Sequence, residues 1–296
     1  MRAHVERLRA ALRAGFPFRA EHIERATAAF GEAWASELED LLARMFPAGD
    51  GLEQAARGYC DFVLDGMRLM KRFERDGVYA AKSYDEAAHE VYHNRAYMLD
   101  LYLPGNLLSH YLWPHHWRQL VFFRNSFLAD LRASDDPRFA DVGVGTGFYS
   151  RILLDGARAA RGRGYDVSEF SLEYAARQAA AFDCAERYEL RRADVIAAPP
   201  SETVPFLTCV EVLEHLEDPP AMLRALRAML APGGKAFITA ALNAPNVDHI
   251  YLYRDVEEVH RHVRAAGFRL EQGFVAAAYR PRGDEPVPAV AALIVT

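Results

Sequence analysis

The sequence predicts two parts, an all-helical region over residues 1–134 followed by a doubly wound α/β domain over residues 135–296. Three observations predict this fold class. Apolar residues recur at helical spacing before residue 133. After residue 137, short β-rich runs alternate with helical segments, which is typical of a parallel sheet with crossover helices. A turn rich in Ser, Asp and Pro at residues 133–137 separates the two patterns and marks the boundary.

The helical region is predicted from amphipathic stripes. One helix is expected around residues 23–42, a second at about residues 51–75 and a third at about residues 84–103, where Pro104-Gly105-Asn106 should end it. The α/β part has little inserted between its strands and helices. We therefore interpret the helical region as a cap that supplies a substrate pocket.

A glycine-rich turn follows the first predicted strand. Residues 141–147 read Asp-Val-Gly-Val-Gly-Thr-Gly, and a helix should start directly after them. Glycine lets backbone approach a ligand closely, and such turns hold nucleotides at the carboxyl edge of a parallel sheet. The alternation of the glycines departs from the G-x-G-x-x-G spacing of nicotinamide-binding domains. The candidate binding residues here are Asp141, Gly143, Gly145 and Gly147.

Acidic residues end the next three predicted strands. Asp166 lies about 20 residues beyond the glycines, where an acid accepts hydrogen bonds from ribose hydroxyls. Asp194 follows the third strand and Glu211 the fourth, and each is also explained by a simple cap or solvated charge. A fifth strand is expected at residues 236–241, and residues 287–296 are expected to return as an antiparallel last strand.

This ordered series resembles the class I S-adenosylmethionine-dependent methyltransferases over about residues 135–275. The resemblance rests on DVGVGTG, YDVS, RADV, EVLEHLEDP and LAPGGKAFIT, in that order. It implies a seven-stranded Rossmann-like core and S-adenosylmethionine as the cofactor. It also implies that Asp141 and the glycine turn face the methionine part of the cofactor, and that Asp166 with Val167 holds the ribose.

The same resemblance places Asp194 and Val195 at the adenine edge, and Glu211 near the sulfonium or the acceptor. The chemistry is compatible with these roles, because the cofactor carries a cationic sulfonium and an amino acid group that acids and close backbone suit. The stretch from Glu211 to His215 also resembles the metal-binding stretch of small-RNA 3′-end methyltransferases. The sequence places no partner histidine, and similar stretches are common in metal-free enzymes, so no metal is predicted.

Candidate catalytic residues lie in two clusters. The segment from Tyr97 to Trp117 is dense in histidine, tyrosine and tryptophan, which can exchange protons or hold a cation against an aromatic face. A packed helix interface explains the same composition. The second cluster follows the fifth strand, where Asp248 and His249 are expected as an orienting acid and a base. The catalytic candidates are Tyr111, His115, His116, Asp248 and His249.

Composition restricts the partners. The net charge is −6, and no basic excess predicts binding to nucleic acid. No apolar run reaches the roughly 20 residues of a membrane span, and the first residues lack the apolar core of a signal peptide. Three cysteines without metal spacing fit a reducing compartment, so a cytoplasmic protein is expected. The oligomeric state is not predicted.

The function predicted from the sequence is S-adenosylmethionine-dependent methylation of a small molecule at oxygen or nitrogen, with specialised metabolism as one setting. A signature for amide or nucleic-acid base N-methylation is missing. One alternative is a cyclase in which the cofactor's α-amine displaces methylthioadenosine to form azetidine-2-carboxylate, an analogy of architecture only. A second alternative is a non-enzymatic scaffold that binds the cofactor.

Overall fold

The computed structural model describes residues 2–15, 17–80, 82–281, 283 and 285–296. The second and third helices are long, as their amphipathic stripes predict, and the second helix is kinked at Gly31, where φ is 78°. A short fourth helix begins at its N-cap Ser83, whose side chain accepts from the Glu86 amide, and continues into a π-helical turn. These elements are α1 (Ala3–Gly15), α2 (Pro17–Met45), α3 (Gly51–Asp76), α4 (Tyr84–Ala87) and the π turn Ala88–Tyr92.

The third predicted helix begins at Tyr84 as expected, but it is interrupted and ends later than predicted. Helical structure is interrupted at residues 93–94. It then resumes, passes through Pro104 and continues to Leu112. Pro104 is tolerated because it lies in the first turn of its helix, directly after a π turn. The real break is at Trp113, which is extended because it precedes Pro114. The elements are the π turn Tyr97–Tyr102, α5 (Leu103–Leu112), α6 (Pro114–Phe123), the π turn Arg124–Leu128 and α7 (Ala129–Ala133).

Beyond residue 137 the chain forms the predicted seven-stranded sheet, in the order β3-β2-β1-β4-β5-β7-β6. All neighbouring strands are parallel except β7, which runs antiparallel between β5 and β6, as expected for the last strand. The strands are β1 (Arg138–Val142), β2 (Arg161–Asp166), β3 (Tyr188–Arg192), β4 (Val204–Cys209), β5 (Leu230–Leu242), β6 (Leu270–Ala277) and β7 (Ala289–Val295). The helices between them are α8 (Phe148–Gly156), α9 (Glu169–Ala181), α10 (Pro219–Met229) and α11 (Val256–Ala265), with short 3-10 turns at Ala185–Arg187 and Leu213–His215.

The helical region and the sheet share one apolar core. The ring of Phe123 lies 4.8 Å from that of Phe237 on β5, and Phe127 lies 5.6 Å from Phe206 on β4. The last helices before residue 134 therefore cover one face of the sheet, while the earlier ones rise over its carboxyl edge. None of the helices formed by the described residues combines the length and apolar character of a membrane span.

Candidate active site

A cavity of about 1020 Å³ lies between the carboxyl edge of the sheet and the helical region. Cavities that hold a single drug-sized ligand measure roughly 300–1,000 Å³, so this one has room for a cofactor and an acceptor together. Its sheet side contains the glycine turn and the strand-end acids. Its helical side is mostly apolar and aromatic, and is formed by α2, α3, α5, α6 and the π turns between α4 and α5.

The three glycines of the turn all have positive φ, but the structure requires a glycine at each position for a different reason. A Cβ at Gly143 would collide with Val212, and a Cβ at Gly147 would lie 2.8 Å from Ala175 of α9. A Cβ at Gly145 would meet nothing within 4 Å, because this residue faces the cavity. Gly143 also lines the cavity, whereas Gly147 does not and is required by the packing of α8 on α9.

Asp141 and Asp166 hold the glycine turn in place. Asp141 is buried and accepts hydrogen bonds from Ser150 Oγ at 2.6 Å and Thr208 Oγ1 at 2.7 Å. Asp166 accepts from the amide of Gly145 at 3.1 Å and from that of Ser168 at 2.8 Å. Burial raises the pKa of each carboxyl to about 6, and the hydrogen bonds oppose this rise. Both residues line the cavity.

Asp194 is exposed at the rim of the cavity. One of its oxygens accepts from the amides of Ile196 and Ala197 at 2.9 and 3.1 Å, so part of its role is to cap a turn. Val167 and Val195 provide apolar surface of the cavity wall on either side of this rim.

Glu211 lies at the end of β4 in a strained conformation, with φ at 53°. Its amide donates to Thr239 Oγ1 at 2.8 Å, and the Thr239 hydroxyl donates back to the Glu211 carboxylate at 2.6 Å. Burial, followed by the charge of Glu214, raises the pKa of Glu211 to about 8. Glu211 thus presents a carboxyl group to the cavity in a fixed orientation.

Three histidines of α5 and α6 form one wall of the helical side. His110 stacks on Phe148 at 4.2 Å, and the rings of His115 and His116 lie 4.5 Å apart. Trp113 stacks between His115 and Phe62, at 5.6 and 5.8 Å. Burial lowers the pKa of His110 to about 3, that of His115 to about 4, and that of His116 well below its usual range. All three rings are therefore neutral at pH 7.

The tautomer of His116 follows from its partners. The Ser109 hydroxyl donates to the carbonyl of Asn106 at 2.7 Å, so its oxygen accepts from His116 Nδ1 at 3.1 Å. His116 Nε2 then carries the lone pair. His115 Nδ1 is buried and has no hydrogen-bond partner among the described residues.

Tyr111, a predicted catalytic residue, does not line the cavity. Its side chain is fully buried against Trp117 at 5.4 Å and Phe148 at 5.8 Å between ring centres. Tyr111 lies on the opposite side of α5 from the residues that line the cavity, so it packs the core rather than contacting a ligand.

The predicted pairing of Asp248 with His249 is not what the structure contains. Asp248 is fully buried and faces His215 Nδ1 at 3.2 Å, and the hydroxyls of Tyr92 and Tyr102 donate to it at 3.0 and 2.8 Å. His249 instead places Nδ1 2.5 Å from the carbonyl of Ala244. The Asp248 carboxylate raises the pKa of His215 to about 9 against the effect of burial, whereas burial lowers the pKa of His249 to about 3.

His215, Tyr92, Tyr102 and His110 line the cavity but were missed as candidates. His215 follows β4 in the EVLEH stretch, so its place at the strand end was a usable signal. The two tyrosines come from the π turns before α5, and no local pattern predicts that their hydroxyls reach a loop about 150 residues later.

A family model described as a methyltransferase domain matches residues 140–236. The ubiquinone biosynthesis O-methyltransferase of Neisseria meningitidis serogroup C is 34% identical over 118 residues, which cover 40% of this chain and 48% of that protein. The protein of the same name from Cupriavidus pinatubonensis is 31% identical over 135 residues, covering 42% and 53%. This chain thus spans about half the length of the curated relatives it matches.

Two solved structures share the fold over more of the chain. Mitomycin 7-O-methyltransferase MmcR has a TM-score of 0.56 at 17% identity, covering 86% of this chain and 75% of that one. The 4+2 cyclase SpnF has a TM-score of 0.52 at 17% identity, covering 73% and 97%.

The cavity fits the cofactor of this family, S-adenosylmethionine. The open space beside Gly145 admits a ligand against the backbone, and Asp166 faces it with a carboxylate suited to ribose hydroxyls. The matched residues, the sheet order and this fit lead to one assignment. Residues 140–236 carry a methyltransferase domain, and the sheet around them has the fold of the class I S-adenosylmethionine-dependent methyltransferases, preceded by an N-terminal helical region.

Proposed function

We propose that this protein methylates an oxygen atom of a small molecule with an apolar body, using S-adenosylmethionine. The observation that carries the proposal is that the cofactor residues and the three-histidine wall line one cavity. The names of the curated relatives and of MmcR support oxygen as the atom modified.

The sheet side of the cavity would hold the cofactor. The backbone from Gly143 to Gly145 and the carboxylate of Asp141 would receive its methionine part, and Asp166 beside Val167 would hold the ribose. Asp194 and Val195 at the rim would face the adenine, and Glu211 would lie near the sulfonium. When bound, the cofactor supplies an electrophilic methyl group.

The helical side would hold the acceptor. Phe62, Met98 and Trp113 offer an apolar and aromatic surface, which suits an aromatic or hydrocarbon acceptor better than a charged one. The helices also enclose the site, since the hydroxyls of Tyr92 and Tyr102 tie the π turns to Asp248 beyond β5. These contacts place the helical region over the cavity and restrict the direction from which an acceptor approaches.

Methylation of a hydroxyl requires that its proton leave. His116 is the candidate acceptor of that proton, because its Nδ1 is committed to Ser109 and its Nε2 holds a lone pair at neutral pH. His115, stacked on Trp113, is the second candidate. The low pKa values make both histidines weak bases, so we expect positioning to provide more of the rate than proton transfer does.

The test is incubation of the purified chain with S-adenosylmethionine, alone and with a panel of phenols and other hydroxylated aromatic compounds, followed by mass spectrometry. Adenosylhomocysteine that forms only with an acceptor, together with a methylated hydroxyl, is the expected result. Methylthioadenosine formed without an acceptor would overturn the proposal in favour of cyclisation. The fold of SpnF, named a cyclase, is a reason to include that measurement. Binding without turnover across the panel would favour a scaffold.

Asp166→Ala should weaken S-adenosylmethionine binding about tenfold or more, because hydrogen bonds to a charged group contribute about 1.5–3 kcal/mol. The structure adds a second reason, since Asp166 also holds the amide of Gly145. Calorimetric titration measures the effect, and Asp155→Ala, which removes an exposed acid from α8, is the matched control. Equal affinity in the two variants would remove Asp166 from the site.

Cofactor affinity should also fall as pH drops through about 6. Binding to ribose hydroxyls requires the ionised form of Asp166, and burial raises its folded, ligand-free pKa to about 6. Below that pH a proton must leave before the cofactor binds, so the dissociation constant rises as pH falls. Asp141, whose pKa is also about 6, should add to this pH dependence. The charge of His215 opposes the rise in the pKa of Asp166. Titrations between pH 5 and 8 should show this trend, and a flat profile would contradict it.

A further inference from the structure

Two strand ends meet at the cavity wall below the helical region. Glu214 and His215 follow β4, and His249 lies in the loop after β5. The amides of Ile250 and Tyr251 both donate to the carbonyl of Glu214, at 2.8 and 2.9 Å, and dock the loop onto the 3-10 turn. Backbone hydrogen bonds therefore fix the two segments together, independently of the side chains discussed next.

Glu214 is buried without a well-formed hydrogen bond. Its side chain has no exposed surface, and neither carboxylate oxygen has a donor in good hydrogen-bond geometry among the described residues, although the amides of Glu214 and Ala241 lie near it. A buried carboxylate is expensive unless donors or a cation neutralise it, so such a group requires an explanation.

Two histidines next to it are arranged as metal ligands usually are. His215 Nδ1 faces the carbonyl and carboxylate of Asp248, both at 3.2 Å, and His249 Nδ1 faces the carbonyl of Ala244. These oxygens only accept, so Nδ1 holds the proton in each ring and Nε2 is left with the lone pair in the neutral form. A histidine whose second nitrogen donates to a carboxylate or carbonyl is the usual arrangement around a bound metal.

The donor atoms also converge. One ligand atom from each of Glu214, His215 and His249 lies within 4.8 Å of the others, and the two imidazole rings meet edge to face with centres 4.7 Å apart. Both histidines line the cavity, whereas Glu214 lies behind them.

We propose that Glu214, His215 and His249 bind one divalent transition-metal ion at the cavity wall. Two imidazoles and one carboxylate suit zinc, manganese, iron(II) or cobalt, and suit calcium and magnesium poorly because those ions prefer oxygen ligands. Three protein ligands leave positions open toward the cavity. The proposal departs from the sequence-based prediction of no metal, which lacked a partner histidine, because the folded loop brings His249 to the strand end.

The inference deepens the proposed function and rests on it for the role of the ion. A hydroxyl of the acceptor would take an open position on the ion, which orients the oxygen and lowers its proton affinity. That matters because the neutral histidines of the helical wall are weak bases. The acceptor would then be a small molecule with an apolar body and one metal-binding oxygen, or two neighbouring ones.

The test measures metal binding without cofactor or acceptor. The full chain is stripped with a chelator, dialysed and titrated with Zn²⁺, Mn²⁺ and Co²⁺ by calorimetry, and bound metal is counted by mass spectrometry. We expect one equivalent, a rise in melting temperature on binding, and a visible Co²⁺ absorption band. Glu214→Gln and His249→Ala should each weaken binding by about 100-fold or more, since even supporting residues around a metal contribute about 10- to 100-fold.

His89→Ala is the matched control, because His89 is an exposed histidine of the helical region that should bind metal only adventitiously. Metal-free Glu214→Gln should melt no lower than the metal-free parent, since an unpaired buried charge is gone. Absence of a stoichiometric ion, or variants that bind like the parent, would overturn the metal site and would point to a protonated His215 as the partner of Glu214. Methyl transfer by the metal-free protein would leave the proposed function standing, whereas a bound ion without any methylation would overturn only that function.

Discussion

Gly145→Val should abolish S-adenosylmethionine binding while the protein remains folded. The residue has φ at 50°, and a side chain there would point into the open space of the cavity rather than into protein. A β-branched side chain in this conformation costs about 1–2 kcal/mol of stability, and it occupies the place where the ligand must approach the backbone. We expect a loss of affinity beyond 100-fold, measured by calorimetry.

Gly233→Val separates the two effects. Gly233 also has a positive φ, 76°, and a Cβ there would likewise meet nothing within 4 Å, but it lies in the exposed turn at the start of β5. The melting temperature should fall by a similar amount in both variants, and only Gly145→Val should fail to bind S-adenosylmethionine. Tight binding by Gly145→Val would mean that the turn does not contact the ligand.

The sheet and the cofactor side of the cavity could be predicted because their signals are local. The glycine turn, Asp166 and Glu211 each lie within a few residues of the strand end that positions them, and a parallel sheet brings all its strand ends to one edge. The alternation of strands and helices also fixed the place of β7 as the antiparallel last strand. Such inferences need only the order of elements, which the chain itself provides.

The acceptor side could not be predicted in the same way. The pairing of Asp248 with His249 was predicted because the two residues are adjacent in sequence. Neighbouring side chains in a loop point in different directions, however. The docking of residues 250–251 on Glu214 turns Asp248 toward His215. Tyr111 failed for a related reason. On a helix that is buried on all sides, the sequence does not reveal which side faces the cavity and which faces the core.

The two sides differ in their expected tolerance to change. The carboxylates of Asp141 and Asp166 anchor the glycine turn through two hydrogen bonds each, so substitutions there should alter binding and stability together. On the helical side, His116 Nδ1 donates to Ser109 Oγ within a packed aromatic wall. A substitution that keeps this wall filled should therefore reveal a role in chemistry without collapse of the fold.

His116→Ala should lower kcat by about 100-fold while cofactor affinity changes little. A general base acts in the transition state and typically contributes 10²–10⁴-fold, and the low pKa of His116 places it at the lower end of that range. His115→Ala should have a similar effect if that ring receives the proton instead. Trp113→Ala should reduce both turnover and cofactor affinity, since Trp113 stacks on His115 and Phe62 and closes the wall. His89→Ala, on the exposed surface of the same region, should change neither quantity.

A purely structural helix wall predicts a different pattern for the same variants. Removing a buried ring leaves a cavity, so melting temperature would fall while turnover per folded molecule stayed close to that of the parent.

Ser109→Ala further distinguishes a catalytic His116 from a structural one, because it removes the partner of His116 Nδ1 without removing the ring. If His116 accepts the proton at Nε2, loss of that partner frees the other tautomer and turnover should fall with only a small change in stability. Unchanged turnover in both Ser109→Ala and His116→Ala would show that the proton leaves by another route, and the histidines of this wall would then serve packing alone.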